Sequence, residues 1–154
     1  ARRLIRMAVE DIGLADPQAL PLAVAARDAY QMMGSPEGDL ALAEVAVYLA
    51  LAPKSNAVYT AFKAAKVAAA ETAHALPPKE IVNAPTKLMK QLGHGKGYAY
   101  DHDAPDAFSG QHYFPAELGA RPSWYHPVER GFEREMQKRM AYFDKLRARR
   151  DGEA

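Results

Sequence analysis

Leu40-Ala41-Leu42-Ala43-Glu44-Val45-Ala46-Val47-Tyr48-Leu49-Ala50-Leu51 holds a single charged residue, Glu44, in twelve positions. At about 100° per residue, its Leu and Val side chains, with the alanines between them, are spread all round a helix axis. A helix that is apolar all round must be covered all round. Two arrangements meet that demand: this is the central helix of the domain's own core, or one of its faces meets another subunit. On the second reading Leu40, Val47 and Leu51 are candidate interface residues.

The flanks of this segment define the rest of the fold. Ser35-Pro36 ahead of it pairs a capping hydroxyl with a proline at the first helical turn, and Pro53 ends the helix. Upstream, Asp16-Pro17 repeats the device and opens a helix to about Met33, stopped by Gly34. Leu4, Ile5, Ala8, Val9 and Ile12 recur at helical spacing over residues 2–12, and Gly13 ends that pattern. Downstream, Ser55 or Asn56 can cap a fourth helix running to about Ala75. Pro77-Pro78 closes the series, and Pro85 to Leu92 makes one short further helix.

Residues 93–128 change character. Glycines and prolines mix with Tyr98, Tyr100, Phe108, Tyr113, Phe114, Trp124 and Tyr125. This pattern predicts ordered irregular chain pinned by buried rings, with room for a small hairpin. A periodic helix follows from about Glu129 to Arg150. The expectation is one all-α domain over residues 1–154: a helical core at 1–92, an irregular segment at 93–128 and a C-terminal helix at 129–150.

Composition excludes several function classes. The 154 residues contain no cysteine, so disulfides and thiolate metal sites are absent. No apolar run approaches the roughly 18 residues of a membrane span. Twenty basic and nineteen acidic residues leave a net charge of +1, which by itself names no partner. The charges are uneven: residues 1–76 hold seven Lys/Arg and eight Asp/Glu, residues 77–154 thirteen and eleven. The chain starts without methionine and inside an amphipathic pattern, which reads as a segment of a longer protein.

The chemistry-bearing clusters fall short of catalytic patterns. Gly93-His94-Gly95-Lys96-Gly97 invites a phosphate-loop reading. That loop needs a glycine where Lys90 stands and Ser or Thr where Gly97 stands. A turn after a helix accounts for it better. His94, Asp101, His102, Asp103, Asp106, His112 and His126 match no recognised metal-ligand spacing, and such residues are common in turns and caps. Ser35, Ser55, Ser109 and Ser123 sit where capping explains them, and no nucleophile elbow surrounds any of them.

The last helix gathers Phe132, Met136, Met140, Phe143 and Leu146 on one stripe. Arg134, Lys138, Lys145 and Arg149 fall within about 60° of one another on the other side. A basic stripe of this kind can follow a phosphate backbone, and it can also be an ordinary solvated helix face.

Several longer strings resemble one family. They are Glu10-Asp11-Ile12-Gly13-Leu14-Ala15-Asp16-Pro17, Ala52-Pro53-Lys54-Ser55-Asn56-Ala57-Val58-Tyr59 and Asn83-Ala84-Pro85-Thr86-Lys87-Leu88-Met89-Lys90. Gly95-Lys96-Gly97-Tyr98 with Tyr100, His102 and Asp103, then Tyr113-Phe114-Pro115 and Arg130-Gly131, continue the series. In this order they resemble the C-terminal region of the bacterial RarA (MgsA) replication-associated recombination proteins. These are AAA+ ATPases related to the Werner helicase-interacting protein and, more distantly, to clamp loaders. The resemblance implies an all-α, clamp-loader-collar-like domain that holds a cytoplasmic, nucleoid-associated bacterial protein as a homotetramer. It implies a parent that hydrolyses ATP on DNA at stalled replication forks. The family's ATP and magnesium sites lie N-terminal to this region, so it implies no cofactor and no catalytic residue here. Other readings compete: a nucleic-acid-binding module using the basic last helix, a partner-protein docking module, and a small enzyme using the aromatic, histidine-rich segment as its pocket.

Overall fold

A computed structural model describes residues 1–152. Six α-helices appear in chain order: α1 (Arg2–Met7), α2 (Ala19–Met33), α3 (Glu37–Leu51), α4 (Ala57–Glu71), α5 (Lys87–Gln91) and α6 (Glu133–Asp151). Among the described residues there is no strand, and the fold is all-α as expected. Among the described residues no helix is long and apolar enough to cross a membrane. The residues group into two compact units, Ala1–Val67 with Trp124–Met140, and Ala68–Ser123 with Ala141–Ala154.

The first unit is built on alanine. Ala19, Ala23 and Ala26 recur at i, i+4 and i+7 on α2 and face Val45 and Leu49 of α3, with Ala8 and Ile12 beside them. Small side chains let α2 and α3 approach closely. At their crossing a side chain on Gly38 would come within 2.8 Å of the Tyr30 Cα, so only glycine fits there. Ile12 and Leu49 are fully buried, and such side chains stabilise a fold by roughly 1.5–3 kcal/mol each. Residues 2–12 are helical as their periodicity predicts, but the hydrogen bonding widens to a π turn over Ala8–Ile12 before Gly13.

Two junctions use side chains the sequence marks as caps, Asp16 and Ser55, whereas Ser35 donates its hydroxyl to Asp39 at 2.7 Å and leaves α3 without a side-chain cap. Asp16 Oδ1 accepts from the Gln18 amide ahead of α2, and its Oδ2 accepts the Tyr48 hydroxyl of α3 at 2.5 Å. Lys54 places its ammonium on the carbonyls of Leu49, Ala50 and Ala52 at 2.8, 3.3 and 2.5 Å. A cation there satisfies the orphan carbonyls that end α3 and complements its dipole. Ser55 Oγ then accepts from the Ala57 amide and caps α4.

The last helix starts at Glu133 instead of 129. Gly131 holds a left-handed φ of +51°, which a helix cannot continue through, and Phe132 donates its amide to the Ala15 carbonyl instead. Any side chain at 131 would collide with the Ala15 backbone and Pro53. The helix expected to reach Ala75 stops at Glu71 and passes into a turn.

The second unit carries the irregular segment as far as Ser123. The small hairpin is not formed; short 3-10 turns at Asp101–Asp103, Pro105–Ala107 and Ala116–Leu118 take its place. Gln111 acts as a staple, donating to the Gly97 carbonyl and accepting from the Ala99 amide. Phe108 stacks on Phe143 of α6 at 4.9 Å, with the Arg147 guanidinium 5.1 Å from its ring. None of the seven rings of this stretch is buried, and Tyr98, Tyr100 and Tyr113 are exposed, so half-buried contacts such as Phe108 on Phe143 hold it in place of the buried rings its composition predicts.

Candidate functional site

α3 meets the core with only half of its circumference. Val45 and Leu49 are 5% and 0% exposed, while Leu40, Val47 and Leu51 on the opposite side are 74%, 62% and 83% exposed. These three fall within about 40° of one another around the axis, with Glu44 at the edge of their sector. The unusual apolarity of this helix therefore has two parts. One half is core of its own unit, and the other is an apolar strip exposed to solvent.

The strip is held firmly. Tyr48 beside it is anchored by its hydrogen bond to Asp16, and Lys54 closes the helix at the Leu51 end. Hydrogen bonding to the Asp16 carboxylate, then burial, raise the Tyr48 phenol above its ordinary value. Asp16, Glu44, Val47, Tyr48, Leu51 and Pro53 line a shallow groove of about 480 Å³ along the strip. Groove and strip can receive an apolar side chain, and nothing in them resembles a reaction centre.

Arg134, Lys138, Lys145 and Arg149 of the basic stripe are all exposed. Lys138 is engaged with Glu135 at 2.7 Å, and Arg134 Nε donates to the Glu129 carbonyl at 3.1 Å. The Lys138 hydrogen bond, then its charge, hold the Glu135 carboxyl below its ordinary value. Lys145 and Arg149 form no ion pair among the described residues.

The glycine cluster is a turn. The amides of Gly93, His94, Gly95 and Lys96 donate to the carbonyls of Lys90, Met89, Lys79 and Gly93, so they are not turned toward a ligand. Among the described residues no group of three His, Asp or Glu side chains is placed to hold a metal ion. His102 instead packs on Tyr100, and His112 on Phe114. Asp101 accepts from Ser109, whose side chain and amide together lower its carboxyl below the ordinary value.

Sequence reading missed Glu133. It is fully buried and accepts from Ser55 Oγ at 2.8 Å, Tyr125 hydroxyl at 3.0 Å and the Val128 amide at 2.8 Å. Burial, then the bond to Glu133, raise the Tyr125 phenol far above its ordinary value. Only one signal pointed here: the Arg130-Gly131 and Lys54-Ser55 strings, which the structure places on either side of this carboxylate.

Residues 1–144 match the family described as MgsA AAA+ ATPase C terminal. The chain is 48% identical over 147 residues to replication-associated recombination protein A of Coxiella burnetii, covering 95% of this chain and 33% of that protein. It is 48% identical over 143 residues to the Escherichia coli K12 protein of the same name, covering 92% and 32%. It is 45% identical over 105 residues to the ATPase WRNIP1 of Dictyostelium discoideum, covering 68% and 12%. The chain thus spans about a third of the length of the bacterial relatives. With the match running through nearly every cap and junction described above, the chain belongs to the MgsA AAA+ ATPase C-terminal family.

Proposed function

We propose that this chain is the homotetramerisation domain of a DNA-dependent AAA+ ATPase. The whole protein would act in replication, recombination and repair at stalled forks, in the bacterial cytoplasm with the nucleoid. One observation carries the reading: Leu40, Val47 and Leu51 form an exposed apolar strip on a helix whose other half is core. Contiguous apolar surface of this kind marks an interaction site. The strip carries no cation, so it can be buried against apolar surface of a second copy without stranding a positive charge. The relatives' name, replication-associated recombination protein A, supports the setting. ATP and magnesium would be held in the rest of the protein, and this chain would contribute assembly and no catalysis. Light scattering on the purified chain tests it. A mass four times 16.9 kDa that survives dilution to low micromolar supports it. A monomer at every concentration overturns it, and a stable dimer overturns the tetramer.

A second reading rests on Lys145 and Arg149, exposed and outside any ion pair among the described residues. With Arg134 and Lys138 they would give weak duplex DNA contact through phosphates, as a supplement to assembly.

A further inference from the structure

α4 is the most exposed of the long helices in the first unit. Of its fifteen residues only Ala57 is buried, and Ala61 and Ala65 are half-buried on the side turned inward. The outward side carries an ordered pattern. Tyr59 and Phe62 are 51% and 65% exposed, and each is followed four positions later by an exposed lysine, Lys63 and Lys66. Positions four apart are neighbours on a helix surface, and the two pairs are offset by three. The four side chains therefore share one sector of about 100°. In the structure the Lys66 ammonium lies over the Phe62 ring, 5.6 Å from its centre.

This face differs in charge from the α3 strip. Neither lysine is in an ion pair among the described residues, and the one acid of α4, Glu71, lies outside the sector. Arg6 of α1 lies within electrostatic reach of the Tyr59 side chain and is itself paired with Glu10 at 2.7 Å. Packing this surface on the same surface of another copy would bring like charges together out of water. Lysine is for that reason depleted from the centres of protein interfaces. A polyanion with flat apolar groups meets both halves of the pattern: rings stack on rings, and ammonium groups meet phosphates. Single-stranded nucleic acid is that ligand, since its bases are free to stack.

We propose that the α4 face of Tyr59, Phe62, Lys63 and Lys66 binds single-stranded nucleic acid, with bases stacked on the two rings and the lysines on adjacent phosphates. The site is separate from the α3 strip and from the α6 stripe, and it stands whether or not the chain is a tetramer.

Fluorescence anisotropy with a fluorescein-labelled oligo(dT), and with a duplex of matching length, tests it on the purified chain. The single strand is expected to bind more tightly than the duplex. Y59A/F62A is expected to weaken oligo(dT) binding about tenfold or more, with the salt dependence nearly unchanged. K63Q/K66Q, at exposed positions where folding is not at stake, is expected to reduce the slope of log affinity against log salt by about 1.4. Unchanged oligo(dT) affinity in both variants overturns the proposal. So does a fall in light-scattering mass in Y59A/F62A with no change in binding per chain, which would make the face a contact between copies. Loss of assembly in an α3-strip variant with oligo(dT) binding retained per chain would separate this site from the tetramer reading.

Discussion

Ser55 donates its hydroxyl to the buried Glu133 carboxylate at 2.8 Å, across 78 positions of sequence. The pair ties the N-terminal cap of α4 to the first residue of α6. Because Tyr125 and the Val128 amide share the same carboxylate, one side chain organises three segments.

Removing this acceptor should be costly. Glu133→Ala leaves a buried hydroxyl, a phenol and an amide without a partner, and each unsatisfied group costs about 1–3 kcal/mol. A loss of about 3 kcal/mol or more is expected in urea unfolding, against about 1 kcal/mol for Ser55→Ala. Equal, small effects for both would mean that the carboxylate is not the organiser.

The two halves of α3 should respond oppositely to charge. Val47→Glu and Leu51→Glu lie on the exposed strip, so the fold of a single chain should change by no more than about 0.5 kcal/mol. If the strip is a subunit contact, the same changes leave desolvated carboxylates at the interface at several kcal/mol each. Light scattering should then report smaller particles with unaltered circular dichroism. Leu49→Glu, in the core, should unfold the chain.

Alkaline titration should single out two phenols. Tyr48 and Tyr125 are both raised in the folded chain, Tyr48 first by its bond to Asp16 and Tyr125 first by burial. A raised folded value means that the native state holds the proton more tightly than the unfolded one. Their contribution is therefore complete below the ordinary phenol value of about 10 and is lost as pH rises above it. Tyr48→Phe and Tyr125→Phe should each remove a late component from the ultraviolet absorbance titration of phenol ionisation. An unchanged late component in either variant would count against the assignment.

The α6 stripe makes a prediction of its own. Changing Arg134, Lys138, Lys145 and Arg149 together to Gln should weaken duplex DNA binding at low salt and flatten its salt dependence. Glu135→Gln, which releases Lys138 from its ion pair, should strengthen it slightly. Unchanged duplex affinity in the fourfold variant would leave the stripe as solvated surface.

Much of the fold is written locally. Pro36, Pro53 and Gly34 mark the ends of α2 and α3 because proline lacks a donor and glycine tolerates the turn, whatever surrounds them. The basic stripe is legible for the same reason, since helical spacing alone sets which residues share a side. The α4 pattern was equally present in the sequence. Spacing alone does not assign it, because an aromatic at helical spacing is as consistent with core as with surface, and only the exposure of Tyr59 and Phe62 separates the two.

By itself the sequence determined an all-α chain, the order of its long helices, the Ser55 cap of α4 and the absence of thiol chemistry, all of which follow from residue identity and periodicity. Tertiary structure decided which half of α3 is covered, that α6 begins at Glu133, and that the 93–128 segment docks Phe108 on Phe143 without pairing strands. Those outcomes depend on partners far along the chain: Ala15 against Gly131, Ser55 against Glu133. Contacts between distant positions carry no period, so no local pattern announces them.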